Sequence, residues 1–210
     1  MSKTRTFIAI EATDEVQNMA LETIHLLRPL TSNVNWVVPD NLHWTLQFLG
    51  DVGDVQLFDV CREVAKVAAQ YTCFSLSVDC LNAFPSATRP RTIWLGSRDD
   101  CSTLICMQTQ IEDCLSDLGF RPEARRYIPH LTLGRVGKGS HAGEALGKHI
   151  SAQEEMGPGT MTVEEVIIFG SELDRDGPTY HVLGRAPLAP LGPPLPQGSI
   201  RAQTRGGSPS

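Results

Sequence analysis

The feature that most constrains this chain is a short segment that occurs twice. His43-Trp44-Thr45-Leu46 and His130-Leu131-Thr132-Leu133 share a His-x-Thr-Leu pattern, 87 residues apart. Around the first copy, residues 41–49 alternate: Leu42, Trp44, Leu46 and Phe48 are apolar, and Asn41, His43, Thr45 and Gln47 are polar. Such alternation is what a strand with one buried and one open face requires, because successive side chains point to opposite faces. Each copy therefore sets an imidazole beside a hydroxyl on one face. Trp44, Leu46, Leu131 and Leu133 turn the other way and fix the strands to a core. One such tripeptide arises readily by chance, but two on alternating strands point to a duplicated unit. If the strands are neighbours, one cleft holds two histidines and two threonines.

That set suits phosphodiester chemistry. A nucleophile must lose a proton and a leaving oxygen must gain one. Histidine, which titrates at about pH 6.5, can supply both roles near neutrality. Threonine hydroxyls can donate to non-bridging phosphate oxygens, where charge builds in the transition state. Neither copy carries metal-ligand spacing, with no His-x-x-x-His on a helix and no nearby group of carboxylates. We therefore expect no cofactor and no metal.

The 210 residues suffice for one domain of ordinary size or two closely packed lobes, and 41% hydrophobic with 20% charged residues is a globular balance. A net charge of −6 argues against broad binding to a nucleic-acid backbone, while leaving room for a small site at an RNA end. The six cysteines form no Cys-x-x-Cys pair and are read as free thiols. No stretch approaches the roughly 20 apolar residues of a membrane span. The run Phe7 to Ile10 is too short for a signal-peptide core of about 7–15 residues. These features lead us to expect a cytoplasmic protein without membrane contact.

Patterning predicts strands over residues 4–12, 35–38, 41–49, 74–81, 92–95, 127–136, 163–173 and 180–188, with Gly50 ending the third. Helices are expected over residues 14–27, capped by Asp14, over 54–70, over 102–118, stopped by Gly119, and over 143–153. Asp176-Gly177-Pro178 predicts a hairpin turn, and Gly157-Pro158-Gly159-Thr160 reads as a turn too irregular to bind phosphate. Several adjacent strands are joined too tightly for parallel crossovers, so the expected class is α+β with antiparallel sheets. Residues 1–188 are taken as the domain, and the Pro/Gly/Ser-rich residues 189–210 as a disordered tail.

With these segments in hand the chain resembles the RNA 2′,3′-cyclic phosphodiesterases, also called 2′-5′ RNA ligases, of the two-histidine phosphoesterase superfamily. The resemblance runs from about Arg5 to Leu188. It rests on Trp36 through Gly50 around the first motif, on Arg89-Pro90-Arg91-Thr92-Ile93-Trp94-Leu95-Gly96, on Pro129 through Arg135 around the second, and on Phe169-Gly170-Ser171-Glu172-Leu173. Where the family often has Leu-Pro after its first strand, this chain has Ala12-Thr13. The resemblance implies a bilobal, pseudo-two-fold fold, with two antiparallel sheets forming a central cleft and helices outside. It implies metal-independent hydrolysis of a terminal 2′,3′-cyclic phosphate to a 2′-phosphate, and a reversible 2′-5′ ligation of tRNA halves. It makes His43 the proton donor, His130 the proton acceptor, and Thr45 and Thr132 the phosphate holders.

Further candidates surround the second motif. Arg121, Arg125, Arg126, Arg135 and Lys138 form a basic group in an acidic chain. Arg126, four residues before His130, is chosen as a substrate contact because it shares the histidine's face if a regular strand runs through both. Phe48 and Tyr127 could stack on a base, although core packing is the preferred reading for Phe48. His25, His141, His149 and His181 have no partner at a useful spacing. A 2′-5′ oligonucleotide or small cyclic nucleotide is an alternative substrate. A metal hydrolase and a non-catalytic RNA-end-binding module are further alternatives, the last disfavoured by two intact motifs. A monomer is expected.

Overall fold

The computed structural model of the chain describes residues 3–152, 157, 159–174 and 177–191. Gln153, Pro158 and Asp176 of the expected elements, and residues 192–210 of the expected tail, lie outside the described residues. The described elements run β1 (Lys3–Glu11), α1 (Asp14–Leu27), β2 (Val34–Trp36), β3 (His43–Gly53), α2 (Asp54–Ala68), β4 (Phe74–Val78), β5 (Cys80–Phe84), β6 (Thr92–Gly96), α3 (Ser102–Ser116), β7 (Leu131–Val136), α4 (Glu144–Ala152), β8 (Gly159–Val163), β9 (Glu165–Asp174) and β10 (Gly177–Pro187). The class is α+β and every strand pairing between these elements is antiparallel.

The strands fall into two halves. One half reads β10-β9-β1-β3; the other reads β7-β6-β5, with β2 also paired to β7. Among the described residues, β3 and β7 join the halves through one ladder pair, Trp44 with Leu131, both buried. Those are the middle residues of the two His-x-Thr tripeptides, so the pseudo-two-fold axis passes between them. Extending the antiparallel register by one residue sets His43 across from Thr132 and Thr45 across from His130. Beside the main path, β4 and β8 form a separate two-stranded sheet.

Helices cover one face of the strands and leave the other for the cleft. Val16, Ala20, Ile24 and Leu27 of α1, Val60, Val64 and Val67 of α2, and Leu104, Met107, Ile111 and Leu115 of α3 all enter one core with Ile8, Ile10, Trp44, Leu46, Leu131 and Leu133. At about 1.5–3 kcal/mol for each large apolar side chain taken from water, this burial is what holds the motif strands in place. A smaller apolar cluster, Phe7, Ala9, Ile167 and Phe169 with Tyr180 packed on it, occupies the opposite face of the first half.

Several boundaries differ from expectation, each for a local reason. The predicted strand over residues 74–81 is two strands in different sheets, parted at Asp79. Apolar residues keep even parity at Phe74, Leu76 and Val78 and then shift to Leu81 and Ala83. Strand β8 falls where the leading glycines predict a turn, yet Met161 and Val163 alternate inward. Asp14 is the first residue of α1, not its cap; Thr13 holds the cap position without a side-chain bond. Gly119, at φ +88°, closes α3 as expected, with Phe120 N–H bonded to Leu115 O (3.1 Å) and Gly119 N–H to Ser116 O (2.9 Å). Beyond β10, Ala189 still bridges Thr72 and accepts from Cys73 N–H (2.9 Å), so packed chain extends past residue 188.

Strand β3 does not stop at Gly50 but continues to Gly53, and its register slips twice against β1. Ala9 pairs with Thr45 and Ile8 with Gln47, leaving Leu46 as an extra residue; Phe7 pairs with Phe48 and Thr6 with Gly50, leaving Leu49. Gly50 absorbs the second bulge at φ +72°, a conformation that disfavours other residues. Strand β7 carries the counterpart of the first bulge. Trp94 pairs with Thr132 and Ile93 with Gly134, leaving Leu133 extra. Both copies thus bulge at the leucine that follows the threonine.

Candidate active site

The imidazoles are fixed in the same way in both copies. His43 Nδ1–H donates to the carbonyl of Asn41 at 2.8 Å, and His130 Nδ1–H donates to the carbonyl of Ile128 at 2.8 Å. Each bond runs two residues back along the chain, and each leaves Nε2 for chemistry. His43 Nε2 lies 3.0 Å from Thr45 Oγ1, and the hydroxyl donates when the ring is neutral. Asn41 is itself held by a bond from its Nδ2 to the Pro178 carbonyl (2.9 Å), which ties the first histidine to the β9–β10 hairpin.

Aromatic walls surround both rings. His43 sits among Phe7 (5.0 Å between centroids), Tyr180 (5.5 Å) and Phe169 (6.3 Å), while His130 meets Phe84 (5.1 Å) and Trp94 (6.1 Å) edge-on. Removal from water disfavours the charged imidazolium. Burial accordingly pushes His43 down to about 4, against the opposing pull of the Asn41 carbonyl, with Arg135 and His130 lowering it further. His130 is also lowered, first by burial and then by Arg135, with the Ile128 carbonyl opposing. In the ligand-free chain near pH 7, His43 is therefore a neutral ring whose protonation needs an anion beside it.

The cleft has two arms. One, of about 950 Å³, is lined by His43, Thr45 and Thr132 with Trp36, Val38 and Tyr180. The other, of about 770 Å³, is lined by His130 and Thr45 with Phe84, Tyr127, Ile128 and several arginines. Thr45, Phe48 and Arg135 line both arms. The two histidines and two threonines of the duplicated tripeptides thus converge on one trough.

The bulges decide what stands at its junction. Simple alternation would put Phe48 in the core with Leu46, but the extra Leu46 reverses the parity. Gln47 is buried instead, and Phe48 is 54% exposed at the meeting point of the arms. Core packing, the preferred sequence reading for Phe48, is corrected on that ground. The same reversal acts after Leu133: Gly134 is buried, and Arg135 emerges on the cleft. A side chain at Gly134 would strike Val34 and the Trp36 ring, with a Cβ 2.6 and 2.8 Å from them. Position five after each histidine is therefore a cleft position, held by phenylalanine in one copy and arginine in the other. The sequence marks Arg135 only as part of a basic group; aligning the two copies singles it out opposite Phe48.

The remaining candidates separate. Arg126 is exposed and lines the His130 arm, but not by strand parity, because β7 begins only at Leu131 and the chain before it is irregular. Tyr127 packs against the main core with its hydroxyl buried and unpartnered, and burial pushes that hydroxyl's pKa up, so its ring is a wall and not a free stacking surface. Among the described residues, no three His, Cys, Asp or Glu side chains gather where a metal ion could be held, and no helix is long and apolar enough to cross a membrane.

Comparison with known proteins agrees with this geometry. The family model described as LigT like Phosphoesterase matches residues 11–94 and 99–180. The RNA 2′,3′-cyclic phosphodiesterase of Methanothermobacter thermautotrophicus is 34% identical over 178 residues, 85% of this chain and 95% of that protein. The protein of the same description from Thermotoga maritima is 31% identical over 179 residues, 85% of this chain and 92% of its own. Among solved structures, a Thermus thermophilus protein superposes with a TM-score of 0.71 at 22% identity, covering 88% of this chain and 97% of that one. E. coli LigT in its apo form gives 0.67 at 22% identity, covering 90% and 99%. The strand order, the duplicated histidine strands and these matches together place the chain in the LigT-like phosphoesterase family.

Proposed function

We propose that this protein hydrolyses the terminal 2′,3′-cyclic phosphate of an RNA to a 2′-phosphate without a metal. The observation that carries the reading is the pair of Nε2 atoms presented to one cleft, each ring fixed through Nδ1 to a backbone carbonyl. The name carried by relatives at 34% and 31% identity supports the choice of substrate.

In this mechanism the phosphate lies between the two histidines, with Thr45 and Thr132 donating to its non-bridging oxygens. His130 accepts a proton from water as the new P–O bond forms. The P–O3′ bond breaks on the opposite side, and His43 donates its proton to the departing 3′ oxygen. The product keeps the phosphate on O2′. Burial makes the proton on His43 costly, so the bound phosphate monoanion supplies the opposite charge that places it there. Arg135, which lines both arms, adds positive charge for the transition state. The same two groups serve joining when an RNA 5′-hydroxyl takes the place of water. The reading includes a monomeric, cytoplasmic protein whose folded domain ends close to Leu188.

The deciding assay is hydrolysis of a short RNA ending in a 2′,3′-cyclic phosphate, in EDTA, by wild type beside His43→Ala and His130→Ala. A 2′-phosphate product from wild type, and loss of turnover in each variant, is expected. Absence of turnover by folded wild type overturns the reading, and activity that returns only with added metal overturns its metal independence.

A further inference from the structure

Hydrolysis of one cyclic phosphate brings a single monoanion to the histidines, yet the His130 arm holds far more positive charge than that requires. Its charged lining is Arg91, Arg125, Arg126 and Arg135 against Glu123 alone, in a chain whose net charge is −6. Two of these arginines are engaged: Arg91 donates to the Ser140 carbonyl (2.8 Å) and Arg135 to the Thr92 hydroxyl (3.2 Å). Arg125 and Arg126 are exposed and make no ion pair among the described residues. They are consecutive in the irregular segment that leads into His130, and they line the same arm as that histidine. Exposed guanidinium groups without carboxylate partners, beside a phosphate-transfer site, suit further phosphates. The exposed side chain of Ile128, 46% accessible in the same arm, adds apolar surface of the kind a nucleoside covers.

Resting on the proposed function, we infer that Arg125 and Arg126 form a second phosphate subsite for the strand that carries the cyclic end. The favoured substrate is then a polynucleotide and not a nucleoside 2′,3′-cyclic phosphate. The acidic remainder of the surface repels RNA, so contact is confined to the few nucleotides that reach this arm.

The test compares a nucleoside 2′,3′-cyclic phosphate with di-, tri- and tetranucleotides bearing the same end, in wild type and in Arg125→Gln/Arg126→Gln. Wild type is expected to favour the longer substrates in kcat/KM by about tenfold, which corresponds to about 1.4 kcal/mol. The double variant should bring that ratio close to one. The salt dependence of KM should be steeper for the trinucleotide than for the mononucleotide by about 0.7 for each added phosphate contact, and the excess slope should vanish in the variant. Equal turnover of all lengths by wild type overturns the subsite while leaving the hydrolase reading intact. A length preference that survives in the variant also overturns it. Loss confined to the joining of a second RNA with a 5′-hydroxyl overturns it too, because the arm then belongs to the acceptor strand. Failure of wild type on every cyclic substrate instead overturns the hydrolase reading on which the subsite rests.

Discussion

The segment that carries His43 and the segment that carries His130 are one design used twice, and they diverge at two points. Both anchor Nδ1 two residues back, both bulge at the following leucine, and both turn position five onto the cleft. They differ in burial, with three aromatic rings around His43 and two around His130, and in that fifth position, Phe48 against Arg135. A duplicated unit gives two identical titrating groups, whereas acid–base catalysis needs two different ones. In the proposed mechanism the unequal burial of the two rings supplies that difference without disturbing the shared backbone, while Arg135 lowers both.

The largest expected effect tests whether the two copies act as a unit. His43→Ala and His130→Ala should each lower kcat by about 10²–10⁴, and the double variant should be little worse than the more damaged single one. Single-turnover rates on an RNA with a cyclic end provide the check. Multiplicative losses would mean that the histidines act in separate steps. The wild-type pH–rate profile should be bell-shaped, since one ring must be neutral and the other protonated.

The next effect separates the copies by burial. Above about pH 6.5, His43 is neutral in both folded and unfolded chain and contributes nothing. As pH falls from 6.5 towards 4, the unfolded chain takes up a proton that the folded site refuses, and stability drops. The total loss is about 3 kcal/mol, complete below about pH 4. Urea unfolding midpoints between pH 4 and 7 should therefore fall less steeply in His43→Gln than in wild type. His130→Gln should change the slope in the same direction, because its folded pKa is also depressed. Phosphate at fixed pH should oppose the loss, and ring-nitrogen NMR shifts should show His43 gaining its proton. A proton appearing on His130 instead would exchange the donor and acceptor roles.

The third effect exploits the fifth position. Phe48→Ala should raise KM by a factor corresponding to about 1–3 kcal/mol if a base stacks there, with little change in melting temperature because the ring is 54% exposed. Arg135→Gln should shift the limbs of the pH–rate profile upwards, since its charge lowers both histidines. A lower melting temperature in Phe48→Ala, with KM unchanged, would return Phe48 to a packing role.

How far the sequence could foretell this follows from the same residues. His43, Thr45, His130 and Thr132 are legible because parity within two residues survives almost any strand. Phe48 lies beyond the bulge at Leu46, and counting by twos carries it to the wrong face. A bulge is a property of pairing with β1, formed by residues about 40 positions away, and nothing in residues 41–49 announces it. The parity argument for Arg126 fails for a related reason, since strand parity does not extend into a segment that is not a strand, although Arg126 does line the His130 arm. Arg135 is recoverable, because superimposing the two copies places it opposite Phe48. The break between β4 and β5 is also visible in the apolar pattern, as a change of phase at Asp79.

The last effect concerns what holds the bulges. An extra residue frees a carbonyl from the ladder, and a buried carbonyl must find another donor. The two copies solve this differently. In β7 the Leu133 carbonyl accepts from the backbone N–H of Val37 at 2.8 Å, next to β2. In β3 the Leu46 carbonyl accepts from the side chain of Gln108 on α3, at 3.3 Å and fully buried. The first bulge therefore leans on a side-chain donor and the second on a backbone donor. Gln108→Leu keeps a filling of similar size but removes the donor, and should cost about 1–3 kcal/mol in urea unfolding. Because Leu46 sets the face of Phe48, the variant should also weaken substrate binding while leaving the orientation of His130 unaffected. A variant that loses stability but keeps wild-type KM would show that the β1–β3 register holds the bulge without help from α3.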